Sequence, residues 1–269
     1  MFKFSSLAFA LPLVTSTFTY AATLSSEFEP QPNAISSCPA QMFTQQAVVF
    51  DAVTLCATSK VSLDKLKHAA NVTAKWLDND EDGLVDEPKI LDALRANKAL
   101  LAMSERGFSQ AAFERLEPEL ENRVGQDLAV FETAPVGERD ASQEEIHHLI
   151  VNAGWQTLYP HVFSDNRAKA SLLYQQWQQA EAKGYYAYDD PTCDDSCKTI
   201  EFFYLATAAY LGSEADLYSD EMRLKNRVEL SKGLPEMITI IESDDYHYPK
   251  QVWPDGHYSH QQAIRYTTQ

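Results

Sequence analysis

The sequence predicts a mainly α protein with a small β element and a helix-loop-helix unit. Three observations carry this. Apolar residues recur at helical intervals through most of the chain, residues suited to helix ends stand at the segment boundaries, and strand signals are few. Helices are expected near Ser62 to Leu77, Pro88 to Glu105, Gln110 to Ala129, Ser142 to Leu158, Asn166 to Lys183, Thr199 to Gly212 and Glu221 to Glu242. Pro88 suits a first helical position, and Gly184 and Gly212 fall where C-terminal caps belong. Strand character is confined to Ala47-Val48-Val49-Phe50, Val53-Thr54-Leu55 and part of Val130-Phe131.

Ahead of these elements, Met1 to Ala21 carries Lys3, no acid and an apolar run from Phe4 to Val14 that ends in small residues. The run is too short to span a bilayer, so it predicts a secretory signal peptide over 1–21, cleaved after Thr19-Tyr20-Ala21. No later stretch approaches about 20 uninterrupted apolar residues, which predicts a soluble mature chain, secreted or periplasmic. The rest divides into an N-terminal region, 22–105, and a second region, 106–269. In an exported chain the four cysteines are expected to oxidise, and proximity in sequence pairs Cys38 with Cys56 and Cys193 with Cys197. The formal charge of −17 argues against nucleic acid or anionic membrane as a partner and suits bound cations.

The first candidate cation site is the acidic loop Asp78-Asn79-Asp80-Glu81-Asp82-Gly83-Leu84-Val85-Asp86, between two expected helices. Asp78, Asp80, Asp82 and Asp86 stand at positions 1, 3, 5 and 9 with Gly83 at 6. Ca²⁺ wants six to eight oxygens, and alternate residues of such a turn converge on one point. The loop resembles those of EF-hands and thrombospondin type 3 repeats. It departs at position 12, where Lys89 replaces the bidentate Glu, so a structural Ca²⁺ is expected, with Glu87 or Asp92 available to complete the shell. A solvated acidic turn is the plainer alternative.

The second candidate is Glu144-Glu145-Ile146-His147-His148. On a helix, residues 144, 145 and 148 share one face, while Ile146, Leu149, Ile150 and Ala153 form the stripe that seats the helix. Alone, Ser142-Gln143-Glu144-Glu145 is also a capping box, with Glu145 closing back on the Ser142 amide. Glu201 shifts the balance. It lies in an otherwise apolar helix, where a buried carboxylate needs a partner, and a metal shared with His148 would supply one.

At these residues the chain resembles the zinc peptidases related to anthrax lethal factor, including the secreted proline-specific endopeptidases of clostridia. There, two His of a His-Glu-x-x-His helix and the Glu of a Glu-Phe-Phe run bind zinc, and the Glu between the His is the general base. The resemblance implies a compact multi-helix zincin-like domain over 106–269 and a metallohydrolase acting on a peptide or protein. His148 and Glu201 match as ligands and Glu145 as base. Three positions depart. Glu144 replaces the first His, with His147 as the alternative inward-facing residue. Leu205 stands where a second acid is expected. Asp194 occupies the place of the Tyr that assists the oxyanion, a role assigned here to Tyr188, with Tyr186 beside it. The carboxylate of Glu144 can bind Zn²⁺, and an extra carboxylate also admits harder divalent metals. A non-catalytic, calcium-binding protein on the same scaffold is the competing reading.

Three further features carry less. His247, His257 and His260 lie in an aromatic tail and are expected at the surface or in packing. Asn71-Val72-Thr73 is a glycosylation sequon inside a helix, and Glu145-x-x-His148 is half of a di-iron motif whose second half is missing.

Overall fold

The computed structural model describes residues 38–268, so the leader expected at 1–21 lies outside the described residues. Five strands form one mixed sheet: β1 (Gln45–Val49), β2 (Val53–Ala57), β3 (Leu100–Ser104), β4 (Gly125–Ala129) and β5 (Ile264–Thr268), in the order β4-β3-β2-β1-β5. β1 runs antiparallel to β2 and to β5, whereas β2, β3 and β4 are mutually parallel. With 47% helix and 12% strand in this arrangement, the fold is α/β, which corrects the mainly α expectation.

The reason is local to β3 and β4. The expected helix from Pro88 to Glu105 ends early as α2 (Lys89–Ala96), because Asn97 caps it and Lys98 turns left-handed at φ 49°. Leu100-Leu101-Ala102-Met103 then enters the sheet with every residue buried. A strand covered on both faces shows no alternation and cannot be told from a buried helix by periodicity. The same happens after α3 (Gln110–Leu120), where Asn122 adopts φ 63° and the chain enters β4. Asn tolerates this conformation because its short side chain bonds locally. Val130-Phe131, expected in a strand, forms a short 3-10 turn, and β5 had no forecast.

The two expected strands are present and form a hairpin. β1 and β2 pair Val49 with Val53 through a turn in which Phe50 and Asp51 both have positive φ, and parallel connections run through α1 (Leu63–Leu77) with α2, and through α3. α1 starts where expected, its Ser62 side chain accepting from the Lys65 amide at 3.4 Å. Its Trp76 Nε1 donates to the Gln143 carbonyl at 3.0 Å, locking α1 to α4 (Ala141–Ile150). α4 continues through a π-helical stretch, Val151–Trp155, into α5 (Gln156–Leu158). Gly154 in that stretch lets the helix approach α2, since a Cβ there would meet Ile90 Cγ1 at 2.7 Å.

Of the remaining helices, those at 172–182, 227–233 and 235–242 pack on the one at 195–211, which itself packs on α4. After α6 (Pro160–Phe163), α7 (Leu172–Ala182) starts at its Ser171 cap, several residues later than expected, because Ala170 is left-handed. α8 (Asp195–Leu211) starts a turn earlier than expected, capped by Asp194, and ends at Gly212 with φ 85°. The single helix expected over Glu221 to Glu242 is two, α9 (Arg227–Gly233) and α10 (Pro235–Glu242), because Leu234 leaves helical geometry ahead of Pro235. Both disulfides form as paired from the sequence, Cys38 with Cys56 and Cys193 with Cys197. No helix among the described residues is long and apolar enough to cross a membrane.

Candidate metal centre

α4 and α8 pack together and bring Glu144, His148 and Glu201 into one cluster, with a ligand atom of each within 4.8 Å of the others. His148 is buried. Its Nε2 lies 3.7 Å from Glu201 Oε2 and has no hydrogen-bond partner, while its Nδ1 lies 3.9 Å from Glu145 Oε2. Burial holds this imidazole below its usual pKa, with Arg139 pushing the same way and Glu201 opposing, so it is neutral at pH 7 and has a lone pair to offer. A buried, unpartnered nitrogen facing a carboxylate is an arrangement that a cation could complete.

Glu145 is not a cap. The helix begins at Ala141 with Asp140 as its N-cap, and Glu145 instead accepts from Gln126 Nε2, on β4, at 2.5 Å. Burial pushes the Glu145 carboxyl up to about 7, repulsion from Glu201, Asp127 and Glu132 adds to the rise, and the Gln126 bond opposes it. A carboxyl balanced near neutrality is suited to take and return a proton. Glu201 sits in the second turn of α8, past the exposed first turn, with its side chain 14% exposed.

His147 does not face this cluster. It is enclosed by Trp76, Phe203, Tyr204 and Tyr248, with Nε2 2.8 Å from the Tyr248 hydroxyl. A cavity of about 280 Å³ opens beside the cluster, lined by Glu144, Glu201, Tyr188, Leu205 and Arg139 among others. Tyr188 thus borders the same space as the two carboxylates. Burial, with Glu201 and Glu221 nearby, pushes its hydroxyl up to about 12. Tyr186 is in the core, its hydroxyl buried without a partner and its pKa raised by burial and by Glu201. Asp194 is remote in role, accepting from the Cys197 amide as the α8 cap.

Besides Gln126, two residues at the cluster had no forecast. Arg139 pairs with Glu144 and, through Nε, with Asp216 Oδ1 at 2.9 Å. Asp216 is buried and also accepts from the hydroxyls of Tyr204 and Ser213. Neither has a helical-face relation to the motif: Arg139 precedes the cap of α4 and Asp216 follows α8, so spacing gave no signal.

The acidic loop forms a second cluster, in which Asp78, Asp80 and Asp86 place ligand atoms within 4.8 Å of one another. Asp78 is fully buried, its Oδ1 accepting from the Asp82 amide and its Oδ2 from the Gly83 amide and the Tyr258 hydroxyl. Burial, with Asp80 and Asp78 adding repulsion, pushes Asp86 up to about 6 against the Asn79 amide bond. The fourth expected ligand, Asp82, is outside this group and turns its Oδ1 to the Leu84 amide. Neither proposed completing acid joins in. Glu87 accepts from the Tyr159 hydroxyl, and Asp92 pairs with Arg95. Of the tail histidines, His260 Nε2 contacts the Glu81 carbonyl at 2.8 Å, so the tail packs on this loop.

Two groups of side chains can therefore hold a metal ion, and their donor types leave its identity open. No protein-family model matches the chain significantly, and neither does a curated protein or a solved structure, so the likeness to the lethal-factor-related peptidases rests on the residues of α4 and α8 alone.

Proposed function

We propose that this protein is an exported, metal-dependent hydrolase of peptides, with Glu144, His148 and Glu201 holding Zn²⁺ or another divalent transition metal. The observation that carries the reading is His148 Nε2, buried and unpartnered, facing Glu201 in a cluster that adjoins Glu145. A divalent cation, when bound, supplies Lewis acidity toward a carbonyl oxygen and acidifies water. Glu145 takes the proton of the attacking water as its oxygen bonds to the scissile carbonyl carbon, then delivers that proton to the amine as the C–N bond breaks. Tyr188, bordering the cavity, donates a hydrogen bond to the oxyanion. Asp78, Asp80 and Asp86 hold a structural Ca²⁺, and the two disulfides suit an oxidising compartment outside the cytosol.

One observation favours the non-catalytic, calcium-binding alternative. The Arg139 guanidinium already neutralises Glu144. Elemental analysis of the dialysed protein separates the two readings. About one equivalent of zinc or manganese that disappears in His148→Ala but not in Asp80→Ala, with peptide hydrolysis lost in Glu145→Gln, supports the hydrolase. Calcium alone, lost in Asp80→Ala, supports the alternative.

A further inference from the structure

Glu144 faces two claims that it cannot meet fully at once. It belongs to the cluster able to hold a cation, yet its carboxylate is the ion-pair partner of Arg139. Arg139 does not depend on this contact for its position, because Asp216 Oδ1 accepts from its Nε at 2.9 Å and its guanidinium lies 5.8 Å from the centre of the Tyr204 ring. Asp216 is itself fixed by the Tyr204 and Ser213 hydroxyls. The guanidinium is thus anchored on one side and reaches Glu144 with the other.

Resting on the metal-site reading above, we propose that Arg139 is a built-in competitor for the cation. It neutralises Glu144 when no cation is bound and stays docked on Asp216 when Glu144 turns to one. Charge counting agrees with this exchange. Glu144, Glu201, Asp216 and Glu221 line one cavity with a single guanidinium, an excess of negative charge that a divalent ion would offset. His148 Nε2 has no such competing partner and remains available throughout. Apparent affinity is reduced by the fraction of molecules in which the binding-competent arrangement is populated. Arg139 therefore lowers the affinity without touching the ion, which suits a protein that must discriminate among metals by availability as well as by ligand type.

The test is zinc affinity, read by competition with a chromogenic chelator in calcium-saturated buffer, for wild type, Arg139→Gln and His148→Ala, with folding followed by circular dichroism. Removing the competitor should tighten zinc binding by roughly tenfold or more, and His148→Ala should abolish it. A merely structural role for Arg139 predicts the opposite sign, since loosening Glu144 and Asp216 would weaken binding. Unchanged or weaker affinity in a folded Arg139→Gln variant overturns the proposal while leaving the metal site standing. Zinc binding absent from both wild type and Arg139→Gln, or retained in His148→Ala, overturns the metal-site reading itself. Should the Gln variant fail to fold, Arg139→Met, which removes the charge together with the contacts to Asp216 and Glu144, takes its place, and the same outcomes apply.

Discussion

Gln126 donates to Glu145 Oε2 at 2.5 Å, and this bond ties the candidate base on α4 to β4 at the edge of the sheet. It opposes the repulsion of Glu201, Asp127 and Glu132 and fixes which way the carboxyl points. Gln126→Leu is expected to lower kcat by about tenfold to a hundredfold, the scale of a small misplacement of a catalytic group, with KM and metal content unchanged. Steady-state kinetics on a peptide substrate check this. A rise in KM at constant kcat would place Gln126 in substrate binding instead.

His147 and His148 are neighbours in sequence with opposite assignments. His147 is enclosed by four aromatic rings and bonded to Tyr248, so His147→Ala should leave a cavity, with Thr207 the remaining partner of the Tyr248 hydroxyl, and cost about 2–4 kcal/mol in urea unfolding. Its zinc or manganese content should match wild type, whereas His148→Ala should bind neither. Loss of metal in a folded His147→Ala variant would contradict the assignment.

Asp140 couples the start of α4 to α1. Its Oδ2 lies 2.6 Å from His68 Nε2, and its Oδ1 accepts from the amides of Ala134 and Ser142. Burial pushes its pKa up, but these bonds outweigh burial and the net shift is downward. A carboxyl whose folded pKa is depressed stabilises the fold above its unfolded value of about 3.9 and loses that contribution as pH falls through the folded value. The stability gap between wild type and Asp140→Asn should therefore be widest near neutrality and close in acid. Urea titrations from neutral pH down to about pH 3 measure it, and a gap independent of pH would refute the linkage.

Calcium should raise the melting temperature through the Asp78, Asp80 and Asp86 cluster. At a hundredfold excess over Kd a ligand adds about 2.7 kcal/mol, or roughly 5–10 °C for a chain of this size. Asp80 is exposed, and Asp80→Ala should remove the calcium effect while leaving the calcium-free melting temperature nearly unchanged. Asp78→Ala should lower the melting temperature even without calcium, because Asp78 also holds the Asp82 and Gly83 amides and Tyr258. An equal calcium shift in wild type and Asp80→Ala would remove the loop from consideration.

How much was legible in the sequence differs by element. α1, the β1–β2 hairpin and both disulfide pairings follow from local patterns: a serine cap, short apolar runs and cysteines near each other in the chain. The convergence of Glu144, His148 and Glu201 follows from helical spacing plus the cost of a lone carboxylate in an apolar helix. β3 did not, because a strand buried on both faces has no period to betray it, and β4 did not, because its half-exposed Gly125-Gln126-Asp127 stretch shows no apolar alternation; the helix stops were the asparagines Asn97 and Asn122 instead of glycine.

By itself, then, the sequence determined which side chains could carry chemistry, since residue type and spacing within a helix are local properties. Tertiary structure alone decided which of them meet and what else reaches them. Packing sends His147 to the aromatic core and His148 to the cluster, and brings Gln126 from β4, Arg139 from before α4 and Asp216 from after α8 to the candidate centre. Contacts between distant segments depend on how apolar faces bury against one another, and no spacing along the chain encodes that.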